Sequence, residues 1–520
     1  MGEYDKGQAY GERSEAASPA GRFRALGRLM WSDEGSLGRK AMRSGVWIMG
    51  SAVATHVLRF VQMLILVRLL VPGDFGIMRI AGFIIHGIDV FSSLGLGWAL
   101  IHRKDVSEET LSTAWTMGLL RAAAIYAAIF FCAPWVAGFY KTPVVSPILR
   151  VVALRIVLAA AANTSGVVML RKELQFHKHE TYEAACNAFS ILVTVVAAYY
   201  LRSAWALAVG QVAFGAIRVV GSYWVHPFRP RFFLDRKIAG SLWRYGWHIM
   251  FAGIVIYLKT EGDDMIVGKM TDEKALGLYA LAYTLSNMPA TFITHTISGA
   301  GFSLYSKLQD NREHLGRAFI RVFRLNAALA VPAALGMAIL APDIVNVIYT
   351  PKYAAMIPCF VVLCFFGLQR ALGSPCGPVY GAVGKPYILA WTGAGNLVVM
   401  LSIIFPLVRS YGILGAAWAT LIPGIPHLLL SYFLVTRIAR LSLWAIIRVL
   451  WQVSVPAALM CGAVLLQKRI STDMCVLTLL GSVLTGMSVY LLASLLFSRG
   501  IVEEAIGTLR YFKSSRRSRS

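Results

Sequence analysis

Two stretches of the sequence, LLVPGDFGIMRIAGF (residues 69–83) and VGKMTDEKALGLYALAY (residues 267–283), decide how the chain is organised. Each one ends an apolar segment, passes through a short polar turn and opens the next apolar segment near a glycine. A second pair, SAWALAVGQ (residues 203–211) and YGILGAAWATL (residues 411–421), follows at a similar distance in each half. Because transporters are often built from internal repeats, the pattern predicts two pseudo-symmetric six-helix lobes. Chance similarity among glycine- and alanine-rich helices is the alternative.

The composition is that of a membrane protein. Of 520 residues, 57% are hydrophobic and only 15% are charged, and the mean hydropathy is +0.62. A soluble protein carries roughly 25% charged residues. Because one chain cannot hide so much apolar surface from water, the bilayer must be the solvent of most of its helices. We therefore predict an all-α integral membrane protein.

Apolar windows of roughly 20 residues, the length that crosses a bilayer, recur about fourteen times along the chain. They lie near 45–70, 75–100, 112–138, 146–170, 182–200, 204–225, 246–268, 275–300, 322–341, 356–380, 387–408, 412–435, 444–466 and 475–497. The predicted parts of the chain are a basic cytoplasmic tail, a first lobe of six spans, a cytoplasmic linker, a second lobe of six spans, two further spans and a second basic cytoplasmic tail. Their bounds are 1–43, 44–226, 227–245, 246–436, 437–497 and 498–520.

The formal net charge of +24 follows the predicted topology. Most Lys and Arg residues lie in the tails and in short segments that an even number of spans places on one side, which the positive-inside rule makes cytoplasmic. No basic region is separable from the spans, so nucleic acid is not an expected partner. The seven cysteines nearly all fall in apolar segments without a CxxC pair, which indicates small buried side chains.

The sequence does not indicate an enzyme. The motifs GxxxxGK[ST], HExxH, GxSxG and GxGxxG are absent, and the predicted external loops are too short to fold as a catalytic domain. We therefore expect no catalytic residue, no cofactor and no metal. Transport would be driven by an ion gradient or by consumption of the cargo.

Charged and polar residues inside the predicted spans mark the candidate functional site, because an ionised group near the bilayer centre is costly and is retained for function. A guanidinium group matches phosphate oxygens and keeps its charge in a low dielectric, so arginines facing a cavity between the lobes could hold an anionic cargo. The alternatives are internal ion pairs, such as Arg59 with Asp89, and side chains that reach the membrane surface. The candidates for substrate binding are Arg59, Arg370, Arg155, Arg218, Arg121, His56, Gln62 and Asn287.

The seventh predicted span contains an acidic cluster, in the segment YLKTEGDDMIVGKM (residues 257–270). Acidic groups inside transporters often bind the coupling cation or proton. The alternative is a structural ion pair, for example between Lys259 and Asp263, which lie four residues apart on a helix. The candidates for ion coupling are Asp264, Asp263, Glu261 and, in the second span, Asp89.

Four segments of the chain resemble the polysaccharide transporters of the oligosaccharide-flippase type, which belong to the multidrug/oligosaccharidyl-lipid/polysaccharide exporter superfamily. The resemblance runs over most of the chain, from about residue 37 to residue 437. The segments are LLVPGDFGIMRIAGFI (69–84), SLGLGWALIHRKDVSEETLSTAW (93–115), ALGLYALAYTLSNMP (275–289) and FSLYSKLQDNREHLGRAFIRVFRLNAALAVPAALGMAILAPDIVNVIY (302–349).

The resemblance implies a flippase for polyprenyl-diphosphate-linked oligosaccharide repeat units in the bacterial inner membrane, acting in exopolysaccharide, O-antigen or capsule synthesis. It also implies a polysaccharide polymerase and a chain-length regulator as partners, and Asp264 as the retained acid of the seventh span. One alternative is a cation-coupled exporter of small molecules from the same superfamily, which predicts an acidic cavity. The other is a polymerase or ligase acting on lipid-linked sugars, which predicts a large external loop.

Overall fold

The computed structural model describes residues 37–92, 100, 107–173, 175–470 and 475–497. Most of the predicted N-terminal tail and all of the C-terminal tail lie outside these ranges. Within them the chain is helical and has no strand. A short turn, a π-helical turn (Ile344–Tyr349) and a 3-10 turn (Pro351–Met356) join α10 to α11. The helices are α1 (Leu37–Leu69), α2 (Pro72–Ser92), α3 (Glu108–Tyr140), α4 (Val145–Ala161), α5 (Thr164–Lys172), α6 (Phe176–Leu201), α7 (Ala204–Val225), α8 (Arg236–Met270), α9 (Glu273–Lys307), α10 (Arg312–Ile339), α11 (Ile357–Gly373), α12 (Cys376–Ala382), α13 (Tyr387–Ile438), α14 (Leu443–Ile470) and α15 (Val476–Phe497).

Nine helices among the described residues are long and apolar enough to cross a membrane, and the bent pair α4–α5 counts as a tenth. One of them, the 52-residue α13, breaks at Gly412, where φ is 56°. A Cβ on Gly415 would lie 1.9 Å from the Leu407 carbonyl oxygen, whereas residues eight apart in a straight helix are about 12 Å apart. The chain therefore reverses at Gly412, between the spans predicted at 387–408 and 412–435. The predicted all-helical membrane fold is confirmed, and the total of about fourteen spans stays a prediction.

The fourth predicted span, 146–170, is broken in the structure. Helices α4 and α5 meet at 62°, because Asn163 begins a new helix between them. Its Oδ1 accepts a hydrogen bond from the Gly166 N–H at 3.1 Å, which is a helix N-cap contact. Its Nδ2 donates to the Phe228 carbonyl at 2.6 Å. The capping residue was visible in the sequence as NTSG (163–166), but a hydropathy window averages over it.

The linker between α7 and α8 is packed against the helices that precede it. Helix α8 begins at Arg236, inside the predicted linker 227–245, and the cytoplasmic position of this linker stays a prediction. The Phe232 ring meets the Trp115 ring edge to face, with 5.2 Å between centroids. Partial burial lowers the pKa of His226, and its Nδ1 accepts a hydrogen bond from the Phe228 N–H at 3.1 Å.

The two copies of the sequence repeat meet at one end of the molecule, where α1 turns into α2 and α8 turns into α9; we call it the hairpin end. A Cβ on Gly76 of α2 would lie 1.7 Å from the Glu273 carbonyl oxygen, and a Cβ on Gly277 of α9 would lie 1.8 Å from the Pro72 carbonyl oxygen. Only glycine lets the two backbones come this close. The two copies of the repeat therefore contact each other reciprocally, through α2 and α9.

Two lysines from the second half of the chain bind carbonyls of the first half at the hairpin end. Lys352 Nζ donates to the Leu70 carbonyl at 2.5 Å. Lys269 Nζ donates to the Phe139 carbonyl at 2.7 Å and lies 3.8 Å from the centre of the Phe139 ring. Since α1 ends at Leu69 and α3 at Tyr140, both lysines bind carbonyls at helix C-termini, which lack intrahelical partners and favour a cation.

A buried carboxylate at the start of α2 caps another helix. Asp74 Oδ1 accepts a hydrogen bond from the Ala204 N–H, the first residue of α7, at 2.8 Å. Its Oδ2 accepts one from the Val71 N–H at 3.0 Å. One side chain therefore links the first turn of α2 to the first turn of α7.

Replacing Asp74 by alanine is expected to lower the free energy of unfolding by about 1–2 kcal/mol, because the buried N–H of Ala204 and the partly buried N–H of Val71 lose their acceptor. Asp74→Asn, which keeps one acceptor oxygen, should lose less. Thermal unfolding of the purified protein in detergent measures both. Equal losses in the two variants would contradict the capping role.

Candidate functional site

An ion cluster joins α2 to α8 across the two halves of the chain. The Arg79 guanidinium group contacts the Asp264 carboxylate and lies 2.8 Å from Glu261 Oε2. His86 Nδ1 lies 3.4 Å from Glu261 Oε1. The Asp264 side chain is almost fully buried, at 1% exposure, whereas Arg79 is 30% exposed. Two of the predicted ion-coupling acids are thus brought together, with an arginine as their shared partner.

The third acid of this segment, Asp263, is buried and faces α9. Its Oδ2 accepts a hydrogen bond from the Tyr279 hydroxyl at 2.7 Å. One carboxylate oxygen each of Asp263 and Asp264 has no hydrogen-bond partner within the described ranges. The considered pair of Lys259 with Asp263 is therefore replaced by a bond to Tyr279. Ion coupling at these acids stays a prediction.

Three of the predicted cavity arginines contact other helices. Arg121 Nη2 lies 3.0 Å from Asp89 Oδ1, so Asp89 binds Arg121 and not Arg59 as considered from the sequence. The guanidinium group of Arg218 reaches Glu183 Oε1 at 2.7 Å, and that of Arg155 donates to Gln211 Oε1 at 2.5 Å. Gln211 and Arg218 lie seven residues apart on α7, but they bind different helices, α4 and α6. These contacts hold α2 to α3, α6 to α7 and α4 to α7.

Arg59 and Arg370 have only neutral partners and are exposed, whereas Arg155, whose partner Gln211 is also neutral, is half-buried. Arg59 Nη2 donates to Asn187 Oδ1 at 2.8 Å. Arg370 donates to Asn287 Oδ1 and to Thr291 Oγ1, each at 3.2 Å. Both arginines are exposed, and within the described ranges neither contacts a carboxylate. The structure therefore brings Arg370 and Asn287 together, as members of one predicted site.

The remaining predicted residues lie on the helix that carries Arg59. His56 is exposed and Gln62 is half-buried. They precede and follow Arg59 at three-residue steps, which keeps all three on neighbouring positions of the α1 surface.

Three cations, Arg59, Arg370 and Lys259, contact no carboxylate within the described ranges, and we call them the free cations. Their distance from the hairpin end follows from helix geometry. At 1.5 Å per residue, Arg59 lies about 15 Å from the end of α1 at the hairpin end, and Lys259 about 16 Å from the end of α8. Arg370 lies about 20 Å from the start of α11. By the same measure Arg79 and Asp264 lie only about 10 Å from that end. A hydrocarbon core of about 30 Å that begins at the hairpin end has its midplane at about 15 Å. Arg59 and Lys259 lie at about that depth, Arg370 about 5 Å beyond it and the ion cluster about 5 Å short of it.

Sequence reasoning did not identify two features of this site. Asn187, the partner of Arg59, follows Glu180 and Glu183 on α6 at helical spacing, and this polar stripe in a predicted span was a usable signal. Lys259 was considered only as a partner of an acid. Its Nζ instead lies 3.7 Å from the position that a Cβ on Gly393 of α13 would take. No signal in the sequence predicted that contact.

Apolar helices that carry free cations near mid-depth and a buried ion cluster between their two halves define an integral membrane transporter. The chain belongs to the family described as "Polysaccharide biosynthesis protein", which matches residues 65–358. The family predicted from the sequence is therefore confirmed.

Several curated proteins are similar over most of this chain. The Escherichia coli (strain K12) "Lipopolysaccharide biosynthesis protein WzxC" is 24% identical over 77% of this chain and 82% of its own. The Bacillus subtilis "Teichuronic acid biosynthesis protein TuaB" is 22% identical over 79% and 85%. The Rhizobium meliloti "Succinoglycan biosynthesis transport protein ExoT" is 22% identical over 66% and 70%.

Two solved structures share the fold. The lipid II flippase MurJ in an inward closed conformation superposes with a TM-score of 0.71 at 14% identity, over 87% of this chain and all of that one. An inward-facing MATE multidrug resistance transporter superposes with a TM-score of 0.58 at 14% identity, over 75% and 96%. The fold of this chain is therefore shared with MurJ and with the MATE transporter.

Proposed function

We propose that the protein is a flippase that moves polyprenyl-diphosphate-linked oligosaccharide repeat units across the bacterial inner membrane. The observation that carries the proposal is the pair Arg59 and Arg370, which are exposed near mid-depth with neutral partners only. A lipid-facing charge at that depth would cost a few kcal/mol or more, so in this proposal both arginines face a water-filled cavity. Guanidinium groups in such a cavity match the oxygens of a diphosphate.

The transport cycle follows from two lobes, α1–α7 and α8–α13, with α14 and α15 as additional spans. Both chain termini are cytoplasmic in this proposal, which makes the hairpin end the outer side. The Gly76–Gly277 contact then closes the cavity outward, and Arg59 and Arg370 bind cargo from the cytoplasm. Rocking of the lobes opens this contact and releases the sugar outside. A polymerase and a chain-length regulator would act on the released cargo.

A small-molecule exporter of the same superfamily is the second candidate, because the MATE fold is similar and acids are buried in α8. It requires acids that face the cavity. Here Asp264 and Glu261 contact Arg79, whereas the exposed mid-depth charges are cations. The lipid-linked cargo is therefore the better match.

Arg59→Ala and Arg370→Ala are each expected to abolish polysaccharide export while leaving the amount of protein in the membrane normal, since neither removes a buried ion pair. Export in a strain that lacks the chromosomal gene, measured with membrane protein levels, checks this. Arg437→Ala is the matched control, because Arg437 is also exposed but lies at the end of α13. Full export by both cavity variants would remove these arginines from the site.

Reconstitution tests the function directly. Proteoliposomes containing the purified chain and a fluorescent polyprenyl-diphosphate oligosaccharide should move the sugar to the opposite leaflet, and liposomes without protein should not. Movement of a cationic dye with no movement of the lipid-linked sugar would favour the small-molecule exporter.

A further inference from the structure

The connection between α10 and α11 (residues 340–356) contains a residue with an unfavourable backbone conformation. Thr350 has φ 90° and ψ 155°, in a region that is essentially restricted to glycine. Lys141 and Arg202 also have positive φ, but they lie in the left-handed helical region, with ψ 27° and 41°. For a β-branched side chain a positive φ is a genuine outlier. The backbone at Thr350 is therefore strained.

The local structure does not relieve or compensate this strain. Pro351 follows Thr350, and a proline disfavours a helical ψ at the residue before it. The Thr350 Oγ1 is buried and has no hydrogen-bond partner in the described part of the chain. The strained conformation must therefore be held by contacts that the rest of the connection makes.

On one side, the connection contacts α1 and its end in the first half of the chain. The Tyr353 hydroxyl donates to the Leu70 carbonyl at 3.0 Å, and the Tyr349 hydroxyl lies 3.5 Å from Met63 Sδ. Both tyrosine side chains are fully buried, and their rings meet edge to face with 5.7 Å between centroids. The residues before and after Thr350 are thus fixed against the first half.

On the other side, the connection contacts the additional spans. Lys468 Nζ of α14 lies 2.5 Å from Asp343 Oδ2. The π turn packs against a hydrophobic cluster formed by Leu340, Val464 of α14 and Leu479 of α15. A strained residue persists only when its surroundings over-determine its conformation, and these two sets of contacts do so.

We propose that the strain at Thr350 favours opening of the hairpin end during transport. The inference rests on the proposed function, in which the two lobes separate at this end. When α1 moves away, the contacts of Tyr349 and Tyr353 with it break, and the connection relaxes about Thr350. The strain is therefore present only in the closed state, which it makes less stable. Strain of this size changes a two-state population by about fivefold or more.

The variant Thr350→Gly tests this, because glycine adopts a positive φ without strain. It should stabilise the closed state and reduce export about fivefold or more, measured with membrane protein levels in cells that lack the chromosomal gene. The purified variant should unfold at the same temperature as the wild type or higher. Thr350→Val is the matched control, because it keeps the β-branched shape and the strain. It loses only an unpaired hydroxyl, so it should export as the wild type does.

The closed and open populations are measured directly by double electron–electron resonance in nanodiscs. Spin labels are attached at Val144→Cys and Lys274→Cys, which replace exposed residues of the first and second halves at the hairpin end. The cysteines that are not buried, Cys132, Cys461 and Cys475, are first replaced by serine. The wild type and Thr350→Val should show a short and a long distance. Thr350→Gly should lower the long-distance fraction about fivefold or more.

Three results would overturn the role of the strain. The first is an unchanged long-distance fraction in Thr350→Gly. The second is an unfolding temperature of Thr350→Gly below that of the wild type, because the threonine would then stabilise the fold. The third is an equal effect of Thr350→Gly and Thr350→Val, because loss of the hydroxyl would then be the cause.

The strain and the proposed function fail in different ways. A smaller long-distance fraction in Thr350→Gly, with no flipping of the lipid-linked sugar by the wild type in proteoliposomes, would support the strain and remove the function. Flipping by the wild type, with an unchanged long-distance fraction in Thr350→Gly, would overturn the role of the strain alone.

Discussion

Replacing Gly277 by alanine is expected to reduce export about a hundredfold, because the new methyl group cannot fit where α9 meets α2. Its Cβ would lie 1.8 Å from the Pro72 carbonyl oxygen, which belongs to the backbone and cannot rotate away. Overpacking of this kind costs about 1–3 kcal/mol, and about 3 kcal/mol changes a two-state population roughly a hundredfold. The closed state of the hairpin end would be lost while each lobe still folds. Export and membrane levels in a deletion strain measure the effect.

The matched control for this prediction lies on α2. Gly82 has open space where a Cβ would be added, so Gly82→Ala should export normally. Gly76→Ala, which meets the Glu273 carbonyl oxygen at 1.7 Å, should behave like Gly277→Ala. Normal export by Gly76→Ala and Gly277→Ala would show that this contact does not close during transport.

Replacing Arg79 by glutamine is expected to destabilise the protein by about 3–5 kcal/mol, because it leaves a buried carboxylate without its cation. Asp264 is at 1% exposure and Glu261 at 13%, and both contact Arg79. The double variant Arg79→Gln/Asp264→Asn should regain much of the loss, since the uncompensated charge is gone. Thermal unfolding of the purified variants measures the coupling between the two residues.

Arg121→Gln provides the comparison for this cluster. Its partner Asp89 is 48% exposed, so the loss should stay within about 1 kcal/mol, as for a surface pair. Equal destabilisation by Arg79→Gln and Arg121→Gln would contradict the buried cross-link. The same variants bear on ion coupling: Asp264→Asn with full export, together with export that survives collapse of the ion gradient, would exclude coupling at Asp264.

The membrane class and the family could be predicted from the sequence because they depend on local signals. Apolar windows gave the helices, and the repeated turns at residues 69–83 and 267–283 gave the two halves that meet through Gly76 and Gly277. The bend at Asn163 was missed because one capping residue decides it, and a window of 20 apolar residues does not weigh that residue separately.

Partners of the charged residues could not be predicted in the same way. Helical spacing shows which side chains share a face: Glu261 and Asp264, three residues apart, both contact Arg79, whereas Asp263 faces α9. It does not show which residue of another helix faces them. Arg79 meets Asp264 across 185 positions of the chain, and Lys259 meets Gly393. Such contacts depend on how the two halves pack. The sequence therefore suggested Asp263 as a partner of Lys259, whereas the side chain of Lys259 lies against α13.

The lysine contacts at the hairpin end bear on how easily the two halves of the chain separate there. Lys352 and Lys269 hold main-chain oxygens at the tips of α1 and α3, and water can replace either partner as soon as the tips separate. These two lysine contacts therefore contribute little net free energy to the closed hairpin end, since each ammonium group exchanges a carbonyl oxygen for a water oxygen when the end opens. The hydrogen bonds themselves use only main-chain oxygens, although Lys269 also contacts the Phe139 ring. Contacts of this kind can break by thermal motion, without coupling to a chemical reaction.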